Sequence, residues 1–271
     1  MSQTTRPAQK LKFVPKEHGA SFMSAHSLLL GIVAGFAAGG RQWVGLLLAL
    51  GFGVLVLPIT AAVSVWSHPK LKSAARKRAA WLLALFAALG MAALLHGPAF
   101  ELIQLGAVGA VGAAAYALIR RSTAARSTPT QLAAIACISL LAPLAWLLIA
   151  GATGPWAWSA LASFAAFGGT VPYVQERVRR RRFSEMTLAE RAKGGSRALA
   201  WQVVVLSCAC AAAASGAVTA LVPLAYVPGA AKTTVALLRP ESRPPLKRIG
   251  YLETGISTLF AVLAGIGLGI S

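Results

Sequence analysis

The stretch VPYVQERVRRRRFSEMTLAERAKGGSRALA, residues 171–200, sets eight basic residues between two apolar segments. They are Arg177, Arg179, Arg180, Arg181, Arg182, Arg191, Lys193 and Arg197, with only Glu176, Glu185 and Glu190 beside them. A block of one charge flanked by apolar runs of about 20 residues marks a loop held on one side of a bilayer. The pattern repeats along the chain. The first 20 residues carry four basic groups, 66–78 five, 120–130 three and 232–248 five. Together these regions hold 25 of the 26 Lys and Arg residues, and the intervening connections hold Arg41 alone. The partition implies an all-α, polytopic bundle of about nine transmembrane helices.

Composition agrees. The chain has 271 residues, 57% of them hydrophobic and 12% charged, with a mean hydropathy of +0.67. Soluble domains carry about 25% charged residues. The net charge of +19 and the isoelectric point near 11.3 would suggest nucleic acid in a soluble protein. Here the basic groups sit in short loops with no long face to follow a duplex, so no nucleic-acid partner is expected. The expected partner is the bilayer itself, with anionic lipids on its cytoplasmic face. The localisation follows: a multi-pass protein of the cell (inner) membrane. The apolar run from Ser21 to Gly39 exceeds a signal peptide's core of about 7–15 residues, so we read it as a retained first helix.

The expected spans are 21–39, 43–65, 79–96, 99–119, 131–150, 155–173, 198–215, 217–238 and 249–270, behind a tail of residues 1–20. Residues 21–271 form one helical domain. The region 198–238 reads either as a hairpin turning near Ser215 and Gly216 or as one broken helix. Basic loops on the cytoplasmic side put the N-terminus inside and the C-terminus outside. Gly31, Gly35 and Gly39, and again Gly265 and Gly269, recur every four residues, the spacing at which helix backbones approach closely. Neither an internal repeat nor a pair of broken helices is evident.

All seven acids are Glu, and the chain has no Asp and no Asn. The oxygen-rich clusters that hold Mg²⁺ or Ca²⁺ are therefore missing. Four scattered His and three Cys within apolar spans give no zinc spacing, so no metal site is expected. The residues name no cofactor. Polar candidates gather at the basic ends of the spans. Lys16, Glu17 and His18 precede the first span, and His26 lies within it. Glu176, Arg177 and Arg180 follow Pro172, which should bend its helix; Glu176 and Arg180 are four apart, a favourable pair. Arg248 precedes Glu253, an acid inside the last span that needs a partner, with Arg248 or Lys16 the candidates. These nine form a candidate inner-face polar site.

The segments VPKEHGA (14–20), RSTPTQLAAIACISLLAPLAWLLIAG (126–151), VPYVQERVRRRR (171–182) and KRIGYLE (247–253) resemble the YwiC-like family of bacterial membrane proteins. The nine-span layout is also similar to the UbiA superfamily of intramembrane prenyltransferases. That resemblance implies inner loops that hold Mg²⁺ and a diphosphate through Asp-rich motifs, which this chain lacks. Three functions compete: a lipid- or isoprenoid-binding protein with a cytoplasm-facing pocket and no metal, catalytic or not; a small-solute or proton-coupled transporter; and a non-catalytic partner of a membrane complex. The charge partition predicts that a reporter fused after Ser271 is active only outside the cytoplasm, whereas one inserted at 126 is active only inside. A shared side in fusion assays would overturn the nine-span orientation.

Overall fold

A computed structural model describes the backbone of residues 18–66, 73–122, 127–152, 154–182, 188–238 and 246–271. Side chains are described for 21–59, 76–119, 127–152, 154–177, 195–236 and 250–271. Every regular element among these residues is helical. In chain order they are α1 (His18–Ala37), α2 (Trp43–Trp66), α3 (Ser73–His96), α4 (Ala99–Ser122), α5 (Thr128–Ser139), α6 (Leu141–Ala150), α7 (Trp156–Gly168), α8 (Thr170–Arg182), α9 (Leu188–Ala214), α10 (Leu221–Leu238) and α11 (Leu246–Gly269). Five stretches are long and apolar enough to cross a membrane: Arg76–His96, Ala99–Ile119, Thr128–Ala150, Gly195–Ala214 and Gly250–Gly269. Two shorter apolar helices, Ser21–Ala37 and Trp43–Ile59, accompany them.

The eleven helices among the described residues form nine rods, because two rods are interrupted. The interruptions are at Leu140, between α5 and α6, and at Gly169, between α7 and α8. Each lies just after the residue four before a proline, Ser139 for Pro143 and Gly168 for Pro172. Proline has no N–H for that carbonyl, and its ring presses against it, so the helix breaks there. Leu140 and Gly169 keep right-handed dihedrals, so the chain kinks without unwinding. The bend at Pro172 is as expected; a second interrupted passage is not, since its proline lay in a featureless apolar run.

The region 198–238 is two helices. At the end of α9 the Gly216 N–H donates to Ala213 O and the Ala217 N–H to Ala212 O, at 3.1 and 2.9 Å. Gly216 has φ +75°, the left-handed value this closure requires. Gly39 closes α1 in the same way, with φ +83°, so it terminates the helix and packs on nothing. The basic regions are less loop-like than expected. Arg177 to Arg182 continue α8, Arg191 to Arg197 lie on α9, and Lys232 stands inside α10.

The core is built around α6, eight of whose ten residues are buried. Such all-round apolarity suits a central helix. Helix α1 packs between α6 and α11. Gly31 faces the Ala142 backbone carbonyl, and Gly35 lies against Ile149 and Trp146. On the other side, Gly265 meets Val33 and Leu30 O, and Gly269 meets Ala34 O and Ala37. A buried Ser27–Ser163 hydroxyl bond of 2.7 Å ties α1 to α7. Helices α3 and α4 stay peripheral, with Trp81, Leu95 and Val111 exposed, as surfaces for hydrocarbon would be.

A methyl at Gly31 would collide with the Ala142 backbone, which cannot move aside as a side-chain tip can. Gly31→Ala should cost about 1–3 kcal/mol. Gly106→Ala, with open space around it, should be neutral or stabilising. Thermal unfolding of both variants in detergent checks the contrast.

Candidate functional site

The break at Gly169 disturbs the hydrogen bonding of the last carbonyls of α7, although the Gly169 N–H still donates to Phe167 O. Two side chains satisfy them. The Thr170 hydroxyl donates to Phe167 O at 2.6 Å, and the Trp201 Nε1–H of α9 donates to Ala165 O at 2.8 Å. The Trp201 indole fills the notch left by Gly168 and Gly169, where a Cβ would come within 2.5 and 2.7 Å of it. One turn back on α7, the Ala162 carbonyl accepts the Tyr226 hydroxyl at 3.0 Å. Tyr226 stands between two compartments, and Trp201 lines the larger of them.

On one side is a small polar pocket of about 40 Å³, lined by Thr170, Gln202, Lys232, Glu253 and Ser257 among others. By the usual occupancy of about 10–15 Å³ per probe sphere, it has room for about three waters. Its central feature is the ion pair of Lys232 Nζ with both Glu253 oxygens, at 2.7 and 2.6 Å. The two side chains are only 9% and 15% exposed, so the pair is largely withdrawn from solvent. Lys232 Nζ also stands 4.5 Å from the Tyr173 ring centroid, whose other cation is the Arg177 guanidinium at 6.0 Å. Glu176 is buried beside them.

On the other side lies an apolar groove of about 650 Å³. Helix α9 packs on α8 and α10 but makes no extended contact with α7. The gap between α7 and α9 is the groove, and α10 and the end of α11 form its floor. Arg197, Trp201, Val204, Cys208 and Ala212 run along its α9 wall, opposite Trp158, Leu161 and Phe164 of α7. The fifteen-residue step from Arg197 to Ala212 corresponds to about 22 Å of helix. Trp201 and Tyr226 have already used their polar hydrogens. Arg197 is exposed, with no carboxylate among the described residues at ion-pair distance.

The expected site is therefore only partly assembled. Glu253, Glu176 and Arg177 gather around Tyr173 and Lys232. Glu253 takes Lys232 as its partner, where Arg248 or Lys16 had been the candidates. Lys232 had been counted with the loop 232–248, although the expected span 217–238 also takes it in. His26 joins a different interface: its Nδ1–H donates to Phe22 O at 2.8 Å, and Nε2 lies 2.9 Å from Thr258 Oγ1 of α11. The Thr258 hydroxyl is also 2.8 Å from Thr254 O. Its single proton serves one acceptor at a time, so Nε2 and that carbonyl compete for it. Lys16, Glu17 and the side chains of His18, Arg180 and Arg248 lie outside the described residues, and with them the Glu176–Arg180 pair. Among the described residues no three His, Cys, Asp or Glu gather as metal ligands would.

A helical bundle of this make-up, with several helices apolar and long enough to cross hydrocarbon, is a multi-pass integral membrane protein. Residues 14–146 match the family model of YwiC-like proteins. The match takes in α1 to α5 and part of α6, a little under half of the chain, and ends before the segments at 171–182 and 247–253 that also suggested the family. The groove and the ion pair are built mainly from helices beyond it. No curated protein and no solved structure matches the chain significantly.

Removing one charge of a buried pair strands the other. Glu253→Gln and Lys232→Met should each destabilise by about 3 kcal/mol, and the double variant by much less than the sum. A double-mutant cycle of unfolding in detergent measures this; additive losses would show that the two groups do not depend on each other.

Proposed function

We propose that this protein binds a lipid or isoprenoid-type molecule within the membrane, without a metal. The groove between α7 and α9 carries the reading: it has ligand-site volume, an apolar lining and, among the described residues, one basic residue at its rim. It replaces the cytoplasm-facing polar pocket as the place for the chain of the ligand. The polar pocket, at about 40 Å³, is too small for such a molecule. The likeness to the UbiA superfamily rests on the nine passages and enters here as layout, without its metal-dependent transfer. In the same reading the basic ends face the cytoplasm, where Lys and Arg accumulate.

A second reading, a small-solute or proton-coupled transporter, draws on the Lys232–Glu253 pair beside a kinked passage. Intramembrane charges at interrupted helices often line ion paths. Solute or proton flux in liposomes that disappears in Glu253→Gln would favour it; flux at background would remove it.

Native mass spectrometry of protein extracted from its own membranes tests the first reading. Wild type should retain a lipid or isoprenoid-type adduct. Val204→Trp, which places an indole in the groove from an exposed position, should lose most of it while remaining folded and monodisperse. Wild-type protein without any adduct would overturn the reading.

A further inference from the structure

We infer that the polar pocket beside Lys232 and Glu253 binds a small monovalent cation, of the size of Na⁺, K⁺ or NH₄⁺, in competition with the Lys232 ammonium. The inference goes beyond both readings above: it needs neither an occupant in the groove nor flux across a membrane.

Two polar side chains of the pocket lack partners. Ser257 of α11 is 7% exposed, lines the pocket and makes no hydrogen bond among the described residues. It stands one helical turn beyond Glu253, on the same face. A buried hydroxyl left this way costs free energy unless something in the pocket meets it. Gln202 of α9 is likewise without a hydrogen bond among the described residues. Its amide lies between Gly169 and Gly229, and a Cβ at Gly169 would come within 2.9 Å of Nε2. Thr170 adds a third oxygen. Its proton goes to Phe167 O, so toward the pocket it offers only lone pairs. Glu253 completes the set. Each of its oxygens accepts from Lys232 Nζ and keeps lone-pair capacity.

Charge selects a cation. An anion would stand against the Glu253 carboxylate. A cation meets oxygen from Glu253, Ser257, Gln202 and Thr170, and its rival among the lining residues is the tethered ammonium of Lys232. Size and charge select a small monovalent one. The pocket, at about 40 Å³, has room for about three water-sized groups. That admits an ion with a water or two and excludes an organic cation of several carbons. A divalent ion would find one carboxylate, already shared. Lys232 has another place to rest. Its Nζ is 4.5 Å from the Tyr173 ring centroid, so a small swing away from Glu253 leaves the ammonium over an aromatic face. The break at Gly169 borders the same pocket, and interrupted membrane helices are where such cations are held.

Removing the tethered rival opens the site to test. Lys232→Met is purified in NaCl, exchanged at equal ionic strength into the chloride of Na⁺, K⁺, NH₄⁺ or N-methyl-D-glucamine, and melted in detergent. At least one small cation should restore most of the melting temperature lost relative to wild type. N-methyl-D-glucamine, too large for the pocket, should restore none. Wild type should respond much less, because Lys232 competes. On the Lys232→Met background, Ser257→Ala and Gln202→Leu should each raise the cation concentration for half-restoration about tenfold, the loss of one contact to a charge. Glu253→Gln on that background should abolish the selective response.

Lys232→Met equally stable in all of these salts would overturn the inference. So would equal recovery in N-methyl-D-glucamine, which reads ionic strength alone, or a response undiminished by Glu253→Gln. If Lys232→Met folds in none of the salts, wild type decides. Selective stabilisation by a small cation that Glu253→Gln removes supports the site, and its absence overturns it. Lipid retention in the groove is a separate measurement that none of these outcomes changes.

Discussion

Helix α1 lies between α6 and α11 with glycine at both contacts, and much of the bundle depends on that close approach. Within hydrocarbon, two apolar helices gain nothing by hiding from lipid tails as apolar as themselves. What remains is contact at short range, and only a residue without a side chain permits it. Gly31 and Gly35 bring α1 onto α6, and Gly265 and Gly269 bring α11 onto α1. This fixes the rotation of α11 about its axis. Glu253 and Ser257 then face the polar pocket, while Thr258 meets His26. The acid and the imidazole share a helix neighbour but serve different interfaces.

Proline supplies the second constraint. Pro172 disturbs the hydrogen bonding at the end of α7, and buried carbonyls must be satisfied. Trp201 reaches across from α9 to meet one of them. Its indole needs width as well as a hydrogen bond, and the two glycines at the break provide a seat. A tryptophan spanning the interval from α9 to α7 is consistent with the separation of those helices, and the apolar groove lies in that gap. Toward α10 and α11, Tyr226 completes the partition. The buried ion pair and the apolar groove thus sit side by side.

Particular residues show how far the sequence could be read. The spans were legible because hydropathy over about 20 residues is a local sum. The kink at Pro172 was legible too, since a proline acts on a carbonyl four residues away in its own helix. The glycines were partly legible: four of the five pack as their spacing suggests, whereas Gly39 ends α1. Lys232 was misplaced because charge counting by loop absorbs a basic residue close to a span end. Trp201 gave no signal, for in an apolar run it reads as one more hydrophobic residue. Nothing in the order of residues marks Arg197 among eight basic neighbours as the one that borders a groove.

The sequence by itself determined an all-helical chain with several helices apolar enough to cross a membrane, their approximate ends, and the absence of Asp or Asn to hold a metal. These properties depend on composition and on interactions within a few residues. Only the tertiary structure decided that Glu253 pairs with Lys232, that Trp201 caps α7, and that α7 and α9 stand apart over a floor made by α10 and α11. The physical reason is rotation. Hydropathy places a helix across the membrane, but its facing residues depend on how far it is turned about its axis. That turn is set by steric contacts with helices distant in the chain.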